Sequence, residues 1–594
     1  MEQIGPISVK FTTKSPSSKD HALYPGFKQE AKVLPQGYIH KPGALALPCE
    51  ILWERDVALK LRDGTTIYTD IYRPPNAKYL SPAIISLGPF GKNGGVNRAA
   101  FDSSPWRNGV PQNTVSGLEK FEGLDPAYWC LHGYAIVHPD PRGTWMSEGD
   151  TYVNSTLDGK DGYDIVEFIA QLSWSNQRVS MAGNSYLSQS QWFIGAERPP
   201  HLACLAPWEG WNDMYEDTAM RGGIPDPGFQ RAITSICAPG LGRTEDIAGM
   251  CEQYPLWNEY WNDRRAKVEN IEVPMYVVSS WTNALHTRGT LRGFIETGSK
   301  EKWLRVHDSH EWPDLYYPQN VEDLRKFFDY FMKDAINDWQ YTPKVRLSIL
   351  NPGGKPVINR PEISFPLMRQ QSKALYLDAK SMALSFYRFA EESKASFEAT
   401  TGVLRFCHTF TERIELTGYF ALRLHVEVIG NDDADLFVKW SKLDKHGNLL
   451  ETVCIDVGYL QDHPEEERAR LWKMHSEGDK HVDVMFAEGS TGRLRISHRE
   501  LDEKLSTPHW PRYKHEKEQK LEAGQIVPVD IELWPHGMIW EQGQKIQISI
   551  GGHDLRPGIT HRSQPCPTLN KGQIVIYTGG QYDSRLLVPF ILQI

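Results

Sequence analysis

Ser185 is the side chain whose sequence context best suits a nucleophile. It lies in MAGNSYLSQSQ, after a short apolar run typical of a strand and before a stretch with helical character. A serine on a tight strand-to-helix turn exposes its hydroxyl, and the next amide, that of Tyr186, can donate to a developing oxyanion. The GxSxG pattern is incomplete, because Leu187 stands where the second glycine would fall. We predict a nucleophile elbow, with an ordinary strand-ending serine as the alternative.

A serine nucleophile needs a general base, and two downstream histidines could supply it. His307 and His310 follow the apolar run KWLRV, and loops at the carboxyl edge of a parallel sheet commonly carry function. On this type of fold the order along the chain is serine, acid, histidine. We expect one of the two to be the base, with a packing role as the alternative. The pair has neither an HExxH pattern nor a third ligand, so no metal is expected.

The position expected for the acid holds an amide. The strand PMYVVSSW is followed by Asn283, whose oxygen can orient an imidazole but cannot stabilise its cation, and this exchange typically costs about 10⁴ in rate. Glu209 and Asp213, after the strand HLACLAPW, are the alternative acids. Three outcomes stay open: Asn283 orients the histidine, another carboxylate replaces it, or the site no longer hydrolyses.

The elements that would position these residues form two halves. Apolar strands first alternate with helical stretches, which is typical of a parallel sheet covered on both faces. Short alternating runs with turns follow, which indicates an antiparallel β-sandwich. The predicted units are an N-terminal extension at 1–50, an α/β domain at 51–210 and 271–344, a helical cap at 211–270 and a β-sandwich at 345–594.

Composition narrows the classes of partner. The chain has 594 residues, 40% of them hydrophobic, and a formal net charge of −10 without a long basic run, so no nucleic-acid partner is expected. It has no apolar run of about 18 residues and no apolar signal core at its start, so we expect no membrane association and a cytoplasmic location. The eight cysteines lack CxxC spacing, which predicts reduced thiols.

Five segments in order carry a resemblance to a known family: LRDGTTIYTDIYRP, GYAIVHPDPRGTWMSEGD, DGYDIVEFIAQLSWSNQRVSMAGNSY, APWEGWNDMYEDTAMRGG and GQIVIYTGGQYDSRLLVPFI. Together they resemble the cocaine-esterase and X-prolyl dipeptidyl aminopeptidase class of α/β-hydrolases, often called CocE/NonD hydrolases. The resemblance runs from about residue 53 to the C-terminus. It implies an α/β-hydrolase domain with a helical cap and a C-terminal jelly roll, acting on esters or amides without a cofactor.

The resemblance also assigns roles by position. Ser185 matches the family nucleophile, the amide of Tyr186 its oxyanion donor and His310 its histidine. Two departures stand out: Phe90, in the glycine-rich loop GPFGKNGG, replaces the oxyanion tyrosine, and Asn283 replaces the triad aspartate. Loss of one oxyanion donor commonly costs about 10² to 10³ in turnover.

These observations predict a serine hydrolase that cleaves an ester or amide bond of a small, apolar or ring-containing substrate through an acyl-enzyme on Ser185. Phe90 and Asn283 motivate an alternative, a non-hydrolytic cyclase, acyltransferase or isomerase of specialised metabolism. A second alternative is an inactive binding module. The expected partner is a small-molecule substrate, and a homodimer is compatible with the large second half.

Overall fold

Two large sheets organise the chain, which a computed structural model describes over residues 3–14, 24–75, 78–92, 95–456, 464–555 and 565–592. The strands are β1 (Gln3–Ile4), β2 (Ile7–Ser8), β3 (Phe11–Thr13), β4 (Glu30–Leu34), β5 (Ile51–Lys60), β6 (Thr66–Arg73), β7 (Ser81–Ile85), β8 (Ala135–Asp140), β9 (Ser175–Asn184), β10 (Leu202–Trp208), β11 (Arg243–Glu245), β12 (Met275–Ser280), β13 (Lys302–His307), β14 (Val345–Ile349), β15 (Val357–Glu362), β16 (Gln370–Asp378), β17 (Ala383–Ser385), β18 (Ser393–Glu398), β19 (Val403–Thr409), β20 (Ile414–Ile429), β21 (Asp435–Leu443), β22 (Thr452–Val453), β23 (Phe486–Ala487), β24 (Thr491–Arg495), β25 (Val527–Trp540), β26 (Lys545–Gly551), β27 (Gln573–Thr578) and β28 (Arg585–Ile591). The α-helices are α1 (Gly95–Ser103), α2 (Pro126–Leu131), α3 (Thr156–Ala170), α4 (Tyr186–Ala196), α5 (Pro227–Ile236), α6 (Ile247–Gln253), α7 (Glu259–Asp263), α8 (Thr287–Glu296), α9 (Glu311–Tyr316), α10 (Pro318–Lys333) and α11 (Pro464–Ser476).

The first sheet carries the alternating strands and helices that the sequence predicted. Its order is β15-β14-β13-β12-β10-β9-β7-β8-β6-β5-β4. The strands from β14 to β8 in this order pair in parallel, and antiparallel strands flank them on both sides. Helices α3, α4 and α8 pack on one face and α2 and α10 on the other. Because both faces are covered, the central strands are apolar throughout, and the predicted α/β half is confirmed.

The segment between β10 and β12 is largely helical and lies over the start of α4. It contains a π-helical turn at Tyr215–Ala219, followed by α5, α6 and α7. Its aromatic core includes Trp261 and continues into Tyr186 and Leu187. The short strand β11 pairs with β3, so the N-terminal segment also contributes to this cap. The aromatic residues of the cap therefore form the core of the cap and its contact with α4.

The second sheet is all-β and almost wholly antiparallel. Its order is β18-β27-β20-β28-β16-β17-β19-β26-β21-β24, with β25 paired to β20. Within this sheet, β17 and β19 pair in parallel. One boundary differs from the sequence prediction, since 345–362 belongs to the first sheet. There β14 pairs in parallel with β13, and β15 pairs antiparallel with β14 at the edge of the sheet. An edge hairpin and a sandwich strand show the same short alternating pattern, which explains the difference.

Three features are absent from the described ranges. None of the helices there combines the length and the apolar character that a membrane span requires. No group of three or more His, Cys, Asp or Glu side chains in those ranges is arranged to hold a metal ion. All eight cysteines lie in the described part of the chain, and no disulfide joins any of them.

Candidate active site

Ser185 occupies the strained turn between β9 and α4. Its backbone angles are φ 55° and ψ −124°, a conformation that costs about 1–3 kcal/mol and is concentrated at functional sites. Its N–H donates to the carbonyl of Glu209 at 2.8 Å, which fixes the turn against the end of β10. Because α4 begins at Tyr186, the amide of that residue has no intrahelical acceptor. The turn therefore has the geometry of a nucleophile elbow.

Leu187 fits at the position of the missing glycine because glycines stand opposite it. A Cβ on Gly183 would lie 2.7 Å from Leu187 Cδ2 and 2.8 Å from the carbonyl oxygen of Glu122. A Cβ on Gly88 would lie 2.6 Å from Leu187 Cδ1. Gly183 also has a φ of 131°. The space that a tight elbow needs is thus supplied by Gly88 and Gly183.

The two aromatic residues beside the elbow are buried. The ring of Phe90 lies edge-on to Tyr186, with centroids 6.1 Å apart, and edge-on to Phe121 at 5.6 Å. The Tyr186 hydroxyl accepts the N–H of Asn154 at 3.1 Å. Phe90 has no hydroxyl to offer an oxyanion, so of these two residues only Tyr186, through its backbone amide, could donate to one. Residues 93 and 94 of the glycine-rich loop lie outside the described residues.

His310 is the N-cap of α9, and its ring is engaged through Nδ1. Nδ1 accepts the backbone N–H of Trp312 at 3.3 Å, and the two rings lie 4.4 Å apart. The His310 N–H donates to the carbonyl of Cys454 at 2.6 Å. Burial, with the charge of His307, lowers the pKa of His310 to about 3. A neutral imidazole whose Nδ1 accepts a hydrogen bond carries its proton on Nε2.

Asn283 caps the turn that precedes α8. Its Oδ1 accepts the N–H groups of Leu285 at 2.9 Å and His286 at 3.1 Å. Its side chain also interacts with the buried carboxyl of Glu311. Among the hydrogen bonds of the described residues, none joins Asn283 to His310. The structure therefore shows no hydrogen bond between these two residues, which the sequence analysis placed in one triad.

Of the two alternative acids, the structure brings one to a histidine. His307 Nε2 lies 2.8 Å from Glu209 Oε1, although the contact is not aligned as a linear hydrogen bond. Its Nδ1 lies 3.1 Å from Ser309 Oγ. Asp213 instead accepts a hydrogen bond from Arg292 Nη1 at 2.8 Å. Glu209 thus lies next to both the elbow and the His307 imidazole, whereas Asp213 is bound to Arg292.

Glu122 is the most important site residue that the sequence analysis missed. It is buried, and its carboxyl lies beside the Ser185 hydroxyl, an interaction that favours the ionised form. Its Oε1 accepts the indole N–H of Trp312 at 3.0 Å. Burial outweighs both interactions and raises the pKa of Glu122 to about 8. No local pattern marks this residue, because FEGLDP is an ordinary loop sequence.

Glu311 and His286 were also missed. Glu311 Oε2 lies 3.6 Å from His286 Nε2, and both side chains are buried. Burial and the charges of Glu122 and Glu209 raise the pKa of Glu311. Burial and the charge of His310 lower the pKa of His286 to about 3. The position of Glu311 directly after His310 was the available signal for it.

A small cavity opens beside Glu122 and is walled mainly by aromatic and aliphatic side chains. Its lining residues are Arg98, Phe101, Arg107, Val110, Val115, Glu119, Phe121, Glu122, Trp312 and Tyr316. Its two arginines are paired, Arg98 with Glu119 and Arg107 with Asp102. The cavity is therefore an apolar space with compensated charges, bordered on one side by the carboxyl that faces Ser185.

Comparisons with known proteins agree with this architecture. Family models for the X-Pro dipeptidyl-peptidase (S15 family) and the X-Pro dipeptidyl-peptidase C-terminal non-catalytic domain match residues 63–238 and 337–587. The cocaine esterase of Rhodococcus sp. (strain MB1 Bresler) is 29% identical over 160 residues, which are 27% of this chain and 24% of the esterase. The match therefore spans about a quarter of that relative's length.

Two solved structures extend the likeness to almost the whole chain. An aminopeptidase from the marine sediment archaeon Thaumarchaeota archaeon is 14% identical, with a TM-score of 0.63, covers 91% of this chain and 97% of its own, and shares the fold. A CocE/NonD family hydrolase from Staphylococcus aureus is 32% identical, with a TM-score of 0.81 over 91% of this chain and 94% of its own. With its α/β-hydrolase sheet and all-β C-terminal domain, the chain belongs to the CocE/NonD hydrolase family.

Proposed function

We propose that the protein is a serine hydrolase that cleaves an ester or amide bond through an acyl-enzyme on Ser185. The strained backbone of Ser185 at the start of α4 is the observation that carries the proposal. A serine in this conformation presents its hydroxyl beside an unpaired helix amide, and the strain is retained because the surroundings impose it. Membership of a family that contains an esterase and peptidases supports the same chemistry.

The elbow suits both half-reactions of acyl transfer. The Ser185 oxygen attacks the carbonyl carbon, and the negative charge that develops is stabilised by the Tyr186 amide and the positive end of the α4 dipole. Collapse of the tetrahedral intermediate breaks the bond to the leaving alcohol or amine, which departs with a proton. Water then attacks the acyl-enzyme and releases the acid. Without a hydroxyl at Phe90, activated esters should react better than amides.

The lining of the cavity beside Glu122 indicates the polarity of the substrate, although its volume of about 10 Å³ gives room for no more than a water molecule. Four of its lining residues are aromatic and two are valines, and the arginines there are already paired. Aromatic rings offer large apolar surfaces with preferred edge and face contacts. We therefore propose a small substrate with an apolar or ring-containing acyl group, which would place its carbonyl at Ser185 and would need Phe121 and Trp312 to move before a ring could enter.

Hydrolysis of a panel of aryl and alkyl esters and amides tests the proposal. For any ester that the wild-type protein hydrolyses, Ser185→Ala should lower kcat/KM by a factor of at least about 10³, because the nucleophile is removed. Ser188→Ala is the matched control, since Ser188 lies one turn further along α4 and its buried hydroxyl has no hydrogen-bond partner among the described residues. Equal turnover by wild type and Ser185→Ala would contradict the proposal.

One observation favours the second candidate, a non-hydrolytic enzyme such as a cyclase, acyltransferase or isomerase. His310 uses Nδ1 to accept a hydrogen bond and lacks a contact with Asn283 among the described hydrogen bonds. A pocket with the neutral histidines His286 and His310 and with Glu122, whose pKa burial raises to about 8, could instead move protons on a bound substrate. Conversion of a substrate without net water addition, undiminished in Ser185→Ala, would favour this candidate.

A further inference from the structure

We propose that Glu122, and not a histidine, is the general base that accepts the proton of Ser185. The inference rests on the hydrolase function proposed above and adds a catalytic residue to it. It stands on three observations: where the backbone of Glu122 lies, what each oxygen of its carboxyl contacts, and how His310 is held.

The backbone of Glu122 is fixed against the end of β9. Its carbonyl accepts the N–H of Asn184 at 3.1 Å, one residue before the nucleophile. The same carbonyl oxygen would lie 2.8 Å from a Cβ on Gly183, so only glycine permits this approach. Glu122 itself has a φ of 64°, a left-handed conformation that a glutamate adopts only when its surroundings impose it.

The two carboxyl oxygens of Glu122 are used differently. Oε1 accepts the indole N–H of Trp312 at 3.0 Å, which orients the group. Oε2 is buried and has no aligned hydrogen-bond partner among the described residues, while the Ser185 hydroxyl is the other group that interacts with this carboxyl. Leaving a buried carboxyl oxygen unpaired costs about 1–3 kcal/mol or more. The carboxyl group, which interacts with the Ser185 hydroxyl, can accept a proton from it.

His310 is poorly suited to the same task. In a Ser-His-Asp triad Nδ1–H donates to the carboxylate, and the lone pair of Nε2 faces the serine. Here Nδ1 accepts the Trp312 N–H, so the neutral ring carries its proton on Nε2 and has no lone pair to offer there. Its pKa of about 3 is also far below that of Glu122, about 8, and a base is most effective with a pKa near the working pH.

Several charged groups lie around Glu122. Glu311 on α9 repels it, and Glu119, Arg98 and Arg107 line the same cavity. Arg98 is bound to Glu119 and Arg107 to Asp102, so these cations are already compensated. Glu122 consequently faces a neighbouring acid and two engaged arginines.

The proton balance closes with Glu122 alone. Its carboxylate takes the Ser185 proton as Oγ bonds to the acyl carbon, and the resulting carboxylic acid gives that proton to the leaving alkoxide as the C–O bond breaks. In the second half, Glu122 takes a proton from the attacking water. It returns this proton to Ser185 Oγ when the acyl group leaves. The net reaction is ester plus water giving acid plus alcohol.

The test compares three variants by the rate of fluorophosphonate labelling and by kcat/KM on an aryl ester between pH 6 and 9.5. Glu122→Gln keeps an oxygen for the Trp312 indole but removes the base, and should lower both values by about 10² to 10⁴. Wild-type rates should rise with an apparent pKa near 8, and this rise should be absent in Glu122→Gln. His310→Asn keeps a good N-cap and should lose less than Glu122→Gln.

Glu415→Gln, in the second sheet and bound to Arg360, is the matched control and should label at the wild-type rate. A Glu122→Gln enzyme that labels and turns over like wild type, or a His310→Asn loss that exceeds the Glu122→Gln loss, overturns the inference while leaving the hydrolase intact. A wild-type protein that neither labels nor hydrolyses any ester would remove the proposed function and the inference together. Circular dichroism and thermal melting confirm that each variant is folded.

Discussion

At the residue scale, the site contains three buried glutamates. Glu122, Glu209 and Glu311 are each almost fully buried, and the charges of the first two raise the pKa of the third. Burial raises the pKa of Glu122 to about 8, so this carboxyl is mostly protonated near neutral pH. A buried, largely protonated carboxyl beside the nucleophile is a feature that a Ser-His-Asp triad does not have.

Asn283→Asp tests whether the missing aspartate is the defect in this site. Asp can still accept from the N–H groups of Leu285 and His286, but it adds a negative charge next to Glu311. We expect no gain in kcat/KM on an aryl ester and a lower Tm. Activity assays and thermal melting measure both, and a gain of 10-fold or more would show that a triad had been restored.

The pKa of Glu122 also predicts a pH dependence of stability. The folded pKa, about 8, lies above the unfolded value near 4.3, so between these values the unfolded chain loses the proton and the folded chain keeps it. Each pH unit in that window lowers wild-type stability by up to about 1.4 kcal/mol. The Tm of Glu122→Gln relative to wild type should therefore increase from pH 5 to pH 8. A difference that stays constant or shrinks would contradict this pKa.

The residues of the site differed in how far the sequence could reveal them. Ser185 and His310 were identifiable because each follows an apolar strand in a local pattern. Glu122 was not, because its place beside Ser185 depends on the long segment between β7 and β8 folding back over the end of β9. The sequence analysis predicted that Asn283 occupies the position of the acid, but its bonds to its own turn could not be predicted from its residue type.

At the element scale, the strand-to-helix turn depends on close approach of the backbone. A Cβ added at Gly183 would lie 2.8 Å from the carbonyl oxygen of Glu122, and the φ of 131° at this position is unfavourable for residues other than glycine. Gly183→Ala should therefore destabilise the protein by more than about 2 kcal/mol and abolish Ser185 labelling. Denaturant unfolding and fluorophosphonate labelling measure the two effects.

Gly447→Ala is the control for Gly183→Ala. Gly447 has a φ of 95° with nothing within 4 Å of its Cβ position, so the substitution adds strain without crowding. We expect a loss of about 1–2 kcal/mol and normal labelling. Equal effects of the two substitutions would mean that the elbow tolerates a methyl group and that crowding there is not important.

The elements themselves were largely predictable because each half has a characteristic pattern. Fully apolar strands separated by helical stretches indicate a parallel sheet, and the alternating runs after β16 indicate an antiparallel one. The segment 345–362 was the exception, since β14 and β15 have sandwich-like patterns but pair with β13. Pairing partners depend on tertiary contacts that the local pattern does not contain.

At the scale of the whole molecule, buried ion pairs link the cap and α8 to the C-terminal all-β domain. Arg288 on α8 donates to Asp217 in the cap at 2.6 Å and to Glu532 on β25 at 2.9 Å. His515 binds Glu216 across the same boundary at 3.0 Å. Because Arg288 and its two acidic partners are buried, each needs its partner to compensate its charge. The all-β half thus holds the cap over the elbow.

Arg288→Met should destabilise the protein strongly, because it leaves Asp217 and Glu532 buried without their cation. The expected loss is about 3–5 kcal/mol, seen as a lower denaturant midpoint and as easier proteolysis of the cap. Arg62→Met is the control, since the Arg62 side chain is 49% exposed in its pair with Asp164, and its loss should stay within about 1 kcal/mol. Similar losses for both would show that Arg288 does not fasten the cap.

Covalent trapping of the acyl group tests the central claim most directly. Wild-type protein mixed with an aryl ester and quenched in acid within one turnover should gain the mass of one acyl group. Fragmentation of the tryptic peptide from Val179 to Arg221 should place that group on Ser185, and Ser185→Ala should gain none. An ester that is hydrolysed with no acylated intermediate under any quench time, or an acyl group found on another residue, would contradict the account.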